Sequence, residues 1–284
     1  MDYNTLVVIL GLGLSGLLLG GFGALVSLKG ENLTADVAGH GVVTGVVLSQ
    51  GLVAWIGAAW LAVPALWGFG FLSSALTLLF IFWLRSQRYS PGASQALAIG
   101  LAYGSTLVVV SLVQGLGSFS TKGLVTLLLG DAATITLGKI LPMGAVLLLG
   151  VALFLRLQQA LQRWILDPES ARLSGQFMVM QVLWVVATVV IVLAVLPALG
   201  LTLLVGALTL PALTVRPWVK GFKAFVLASA LVGGLVALVF GWASAGLLPL
   251  PTGALVVVGM GFVWVMSEGL RALTKAQGGS SRAS

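Results

Sequence analysis

Apolar residues in this sequence come in long runs separated by short polar breaks. Nine runs lie at roughly 5–28, 36–54, 59–84, 92–114, 133–156, 176–197, 199–215, 222–243 and 251–270. About 20 apolar residues in helical conformation cross a hydrocarbon core of ~30 Å. Backbone groups in lipid must be satisfied within the segment, so each run predicts a helix. A β-barrel would show segments of about ten residues with alternating polarity, whereas these runs are apolar on both parities. The pattern predicts an all-α polytopic membrane protein with about nine transmembrane helices. The seventh run is short and the third contains Pro64, so their ends are the least sharply defined.

The breaks carry the remaining organisation. The longest polar segments are 85–95, 115–132 and 157–175, too short for a soluble domain, so 1–284 reads as a single transmembrane domain closed by a flexible tail at about 272–284. If the N-terminus lies outside, every basic residue except Lys122 and Lys139 of the 14 falls on the cytoplasmic side, and the C-terminus does too. This bias predicts the orientation and favours an odd number of spans. The start Met1-Asp2-Tyr3-Asn4 has no basic residue before Lys29, so the first run reads as a permanent span and not a cleavable signal.

Composition agrees. The chain has 59% hydrophobic and 7% charged residues and a mean hydropathy of +1.14, against roughly 25% charged in soluble domains. That excludes a soluble enzyme. The net charge of +7 sits in short loops between apolar runs and reads as a topology signal, not a nucleic-acid surface. The absence of cysteine removes disulfides, thiolate metal sites and cysteine nucleophiles.

Two motifs are decoys. Gly11-Leu12-Gly13-Leu14-Ser15-Gly16, with Glu31 further on, mimics a dinucleotide fingerprint. Residues 17–28 are apolar nearly throughout, so close helix packing explains these glycines better, as it does Gly16/Gly20 and Gly41/Gly45. Asn32-Leu33-Thr34 is a glycosylation sequon on the expected cytoplasmic side, where Asn32 or Thr34 reads instead as a cap for the second helix. P-loop, H-E-x-x-H and G-x-S-x-G motifs are absent, so ATP binding or hydrolytic chemistry in this chain is not expected.

Asp36 and His40 are more informative. They are four apart near the start of the second span and share a helix face that Thr44 continues, and His40 is the only histidine. Ionisable groups inside a span are costly and tend to mark transport paths. A carboxylate with an imidazole is also a half-site for a transition metal. The alternative is a helix cap at Asp36 and an interhelical hydrogen bond at His40. In the 165–176 segment, Asp167 before Pro168 suits a helix start and Glu169 suits the positive end of the helix dipole, predicting a short cytoplasmic helix. It reads either as an ordinary loop or as a docking helix for a cytosolic partner. Asp131 is as readily a cap as a ligand, and Glu268 is expected to pair near Arg271 and Lys275.

Several of these pieces, in this order, resemble the permease subunits of the ABC-3 family of bacterial metal importers. Leu33-Thr34-Ala35-Asp36-Val37-Ala38-Gly39-His40-Gly41-Val42-Val43-Thr44-Gly45-Val46 resembles that family's G-D-A-L-S-H-A-V-L-P-G-V signature, with Ala35 for its Gly, Gly39 for its Ser and Thr44 for its Pro. Leu129-Gly130-Asp131 resembles its L-F-G-D loop. Asp167-Pro168-Glu169 with Ala171 and Gly175 resembles its D-P-E-x-A-x-x-x-G coupling segment. Val205 to Arg216 and Leu250-Pro251-Thr252-Gly253 resemble two further family stretches.

The resemblance implies a permease in the bacterial plasma membrane, not itself an enzyme, that carries zinc or manganese. Its implied partners are a second permease copy (identical or a close paralogue), cytosolic subunits that bind ATP, and an extracytoplasmic metal-binding protein. It further implies that Asp36 and His40 touch the metal, while Asp167, Pro168, Glu169, Ala171 and Gly175 couple to the ATPase. A permease for a metal chelate or cofactor, and an ion-coupled secondary carrier, are the competing expectations.

Overall fold

The computed structural model describes residues 3–115, 135–246 and 252–280, and every element among them is helical. Helices α1 (Tyr3–Lys29), α2 (Thr34–Ile56), α3 (Ala62–Ser86), α4 (Pro91–Gly115) and α5 (Leu137–Leu166) come first, with a 3-10 turn (Ala59–Leu61) before α3. A short α6 (Pro168–Leu173) follows, then α7 (Phe177–Leu199), α8 (Leu201–Val215), α9 (Phe222–Gly246) and α10 (Thr252–Ser280). Eight of these are long and apolar enough to cross a membrane, and α8 is a shorter apolar helix. The nine expected runs are therefore eight full-length helices and one short one. Pro64 falls in the first turn of α3, where its missing N–H removes no helical hydrogen bond.

Helices α1, α2 and α7 form the centre, with 67%, 72% and 67% of their most apolar stretch buried, against 6% for α5. Glycines let α1 and α9 approach with backbones nearly touching. A Cβ at Gly16 or Gly20 would run into the carbonyls of Gly233 or Ser229, and one at Gly45 would strike the Phe69 carbonyl on α3. The glycines that mimic a dinucleotide fingerprint are thus packing residues, since Gly11 and Gly13 lie against Ile135 and Leu238. Contacts at Gly13, Gly16 and Gly20 descend α1 while they ascend α9, so the two are antiparallel. Helices α2 and α4 are parallel: Thr34 pairs with Gln95 and Thr44 with Thr106, offsets of 61 and 62 residues.

The junction between α7 and α8 is a turn inside the bundle. A single residue, Gly200, separates the two helices with φ 73° and ψ 168°, a conformation open to glycine. Leu196 and Leu201 flank this turn and pack on Gly39 in the second turn of α2, and Leu196, Leu199 and Leu201 are at most 4% exposed. Irregular backbone at membrane depth is tolerated only when protein surrounds it. Lys139 Nζ donates to the Pro197 carbonyl at 3.3 Å, giving one helix-end carbonyl a partner. From the turn α8 runs alongside α10, through Gly206 on Val257 and Ser267 Oγ donating to the Thr214 carbonyl at 2.9 Å.

Two local expectations change. Residues 157–166 are not loop: they continue α5, whose 30 residues measure about 45 Å and carry the helix past its apolar run. Neither Asn32 nor Thr34 caps α2. Leu33 occupies the cap position without a side-chain hydrogen bond, and the Thr34 hydroxyl accepts from Gln95 Nε2 at 3.0 Å.

Candidate metal path

Asp36 and His40 meet on one face of α2, with His40 Nε2 3.8 Å from Asp36 Oδ1. That is too long for a hydrogen bond. It is close to the roughly 3.4 Å between two donors that share a tetrahedral metal at ~2.1 Å. The His40 backbone is held from behind. Thr44 Oγ1 donates to the His40 carbonyl at 2.9 Å, and Thr106 Oγ1 on α4 lies 2.6 Å from Thr44 Oγ1 and 3.3 Å from the same carbonyl. The ring meets Tyr103 edge-on at 5.2 Å between centroids. His40 Nδ1 is buried and has no hydrogen-bond partner among the described residues.

Asp36 opens on a flank of the chain, with His40 buried behind it. The Asp36 side chain is 25% exposed, and Tyr103 beside His40 is 50% exposed. No group of three or more His, Asp or Glu side chains gathers as a potential metal cage among the described residues. Asp36 thus presents an oxygen at the surface, and the His40 nitrogen lies buried just behind it, its side chain 11% exposed.

Two departures from the resembled signature have local causes. A Cβ at Gly39 would strike the end of the Leu201 side chain, so glycine there lets Leu201 at the α7–α8 turn pack flat on α2. A proline at position 44 would remove the N–H that an α-helix directs to the carbonyl four residues back, that of His40. Thr44 retains it and adds its hydroxyl.

The expected short helix is present as α6. Asp167 Oδ1 accepts from the Ser170 N–H at 3.2 Å, and Pro168 takes the first helical position. The helix ends at Leu173, and Gly175 follows in its terminating turn with φ 70°. Ala171 is 2% exposed and Leu173 91%. Ala171 therefore seats the helix on the bundle, while Leu173 is the apolar side chain it offers outward. Glu268 pairs with Arg271 at 3.3 Å, as expected. Asp131 and its loop lie outside the described residues.

A cluster around Glu31 escaped the sequence reading. Glu31 is 2% exposed. Its Oε1 accepts from Lys29 Nζ at 3.0 Å and from Arg85 Nη1 on α3, and its Oε2 accepts from Trp184 Nε1 on α7 at 3.0 Å. The Lys29 ammonium lies 3.9 Å from the Trp164 ring centre and 4.7 Å from that of Trp184. Its one sequence signal is scarcity, since Glu31 is among only seven acidic residues.

The sequence pattern of the ABC 3 transport family matches residues 1–269. The zinc transport system membrane protein TroC of Treponema pallidum (strain Nichols) is 26% identical over 270 residues, covering 93% of this chain and 89% of that protein. PsaBC from Streptococcus pneumoniae, solved in complex with Fab, superposes with a TM-score of 0.77 at 14% identity over 94% of this chain and 91% of that chain. An inward-facing ABC transporter described as metal-chelate type gives a TM-score of 0.64 at 20% identity over 93% and 84%. These structural likenesses establish a shared fold.

Removing one member of a buried ion cluster leaves the others uncompensated, at about 3–5 kcal/mol. Glu31→Gln is expected to lower the melting temperature of the detergent-purified chain sharply, because Lys29 and Arg85 would then face each other without a carboxylate. A melting temperature equal to wild type would contradict the central place given to Glu31.

Proposed function

The chain belongs to the ABC 3 transport family, and from that premise we propose that it is the membrane-spanning permease subunit of an ATP-driven importer carrying zinc or manganese into the cytoplasm. The observation that carries the reading is the Asp36–His40 pair, spaced for a shared cation on the flank of a central helix. A carboxylate oxygen and an imidazole nitrogen suit Zn²⁺ or Mn²⁺ better than Ca²⁺ or Cu⁺. Two ligands from one chain hold a metal weakly, which suits cargo that must be released. The relative named as a zinc transport membrane protein supports the same cargo class.

The partners follow from exposure and charge. An ionisable group facing lipid is costly, so the Asp36 flank is covered by a second permease copy, identical or closely related, and the path is shared. ATP binds on cytosolic subunits that dock on α6 through Leu173. An extracytoplasmic metal-binding protein delivers cargo at the Tyr3 end. The protein sits in the bacterial plasma membrane with the Lys29 end in the cytoplasm, because the basic residues concentrate there. ATPase closure at α6 drives alternating access along the path. A metal-chelate permease is the second reading, favoured by the chelate-type transporter of like fold. It has no need of His40.

His40→Ala and Asp36→Ala are each expected to reduce metal uptake at least about tenfold, the effect of losing one contact worth ~1.4 kcal/mol, with the protein still in the membrane. Wild-type uptake in both would return the pair to a structural role. At α6, Leu173→Glu changes an exposed side chain and spares the packing of Ala171. It is expected to uncouple ATP hydrolysis from uptake in the reconstituted transporter, and normal values for both would remove α6 as the docking element.

A further inference from the structure

Charge at the Lys29 end of the bundle is out of balance. Lys29 and Arg85 share one carboxylate, Glu31, and Arg172 of α6 lies over the Phe177 ring at 5.0 Å. All four charged side chains line one cavity of about 440 Å³, together with Trp164 and Gln181. Three cations face a single anion. Nε and Nη2 of Arg85 and Nε1 of Trp164 are buried without a hydrogen-bond partner among the described residues, and Trp164 is 3% exposed. Buried donors left unmade are costly, and this surplus of positive charge and N–H groups calls for an anionic acceptor.

A second observation fixes what kind of anion. The cavity lies at the ends of α1, α3 and α5 and at the start of α7, where the apolar runs begin. An apolar groove of about 190 Å³ begins one turn further in, on the same seam between α5 and α7, walled by Phe22, Leu157, Leu161, Met180, Leu183 and Trp184. It continues along α5 past Gly150 to Val146 and along α7 to Ile191. A basic chamber at the membrane boundary opening beside an apolar channel has the layout of a phospholipid, and basic pockets between transmembrane helices take anionic headgroups.

We propose that this seam is a binding site for one anionic phospholipid, its phosphate held by Lys29, Arg85 and Arg172 and an acyl chain lying in the groove. A free phosphate would satisfy the same donors but would leave the groove without a purpose. Because Pro168 and Arg172 line the chamber, the bound headgroup backs α6 from the membrane side. The site is independent of the cargo and of Asp36 and His40.

The test is native mass spectrometry of the full-length chain released from micelles containing equal phosphatidylglycerol and phosphatidylcholine, with inorganic phosphate titrated separately. Two variants at exposed positions separate the parts: Arg172→Gln in the chamber, and Gly150→Leu in the groove, where a Cβ meets nothing within 4 Å. The wild type is expected to retain phosphatidylglycerol over phosphatidylcholine, and Arg172→Gln to lower that retention about fivefold. Gly150→Leu is expected to lower it as well, without altering phosphate binding. Equal retention of the two lipids, or no effect of Arg172→Gln, would overturn the proposal. Phosphate binding that falls with Arg172→Gln while lipid retention ignores Gly150→Leu would replace the lipid with a free anion.

Discussion

Glu31 is a carboxylate buried at the edge of an apolar bundle, and the Lys29 end of the molecule is organised by the need to compensate it. Its partners come from three helices: Lys29 closes α1, Arg85 lies near the end of α3, and Trp184 lies two turns into α7. Its backbone is fixed too, with the Glu31 N–H donating to the Val26 carbonyl at 3.0 Å and the Thr34 N–H to the Glu31 carbonyl at 2.9 Å. The loop between α1 and α2 is thereby tied to both neighbouring helices, and α2 starts from a fixed point. Lys29 extends the cluster to Trp164, three residues before the Asp167 cap of α6. One ion-paired carboxylate thus positions the helix that carries Asp36 and His40 and the corner that carries α6.

The Asp36–His40 pair depends on this anchorage and on a seam of polar contacts above it. Gln95, Tyr103 and Thr106 rise along α4 beside Thr34, His40 and Thr44 of α2. These contacts hold the backbone and one edge of the imidazole, and leave Nδ1 without a partner among the described residues. Support from behind fixes the two side chains, and no third His, Asp or Glu joins them among the described residues.

The spans were legible because lipid imposes a simple rule on composition, and α6 was legible because Asp167-Pro168 is a local start signal. Asp36 and His40 could be placed together since four residues on a helix share a face. The Glu31 cluster was not legible: apart from Lys29, its partners Arg85 and Trp184 lie 54 and 153 residues away, and no periodicity connects them. The extension of α5 was hidden by Gln158, Gln159, Gln162 and Arg163, whose polarity reads as loop although Trp164 and Ile165 are buried beyond them. The inward seat of Ala171 and the buried turn at Gly200 are tertiary facts for the same reason. Each depends on what packs against it and not on its neighbours in sequence.

The proposed function requires His40 and Asp36 of this chain to hold a divalent metal. Because His40 is the only histidine, the claim can be read spectroscopically without a mutation. The chain is labelled with ¹⁵N-histidine, reconstituted with its partner subunits unlabelled, and loaded with Mn²⁺ for pulsed electron paramagnetic resonance. The account predicts a directly coordinated nitrogen whose coupling changes to the ¹⁵N pattern with the label. Manganese whose spectrum does not respond to the label, while uptake proceeds, would contradict it.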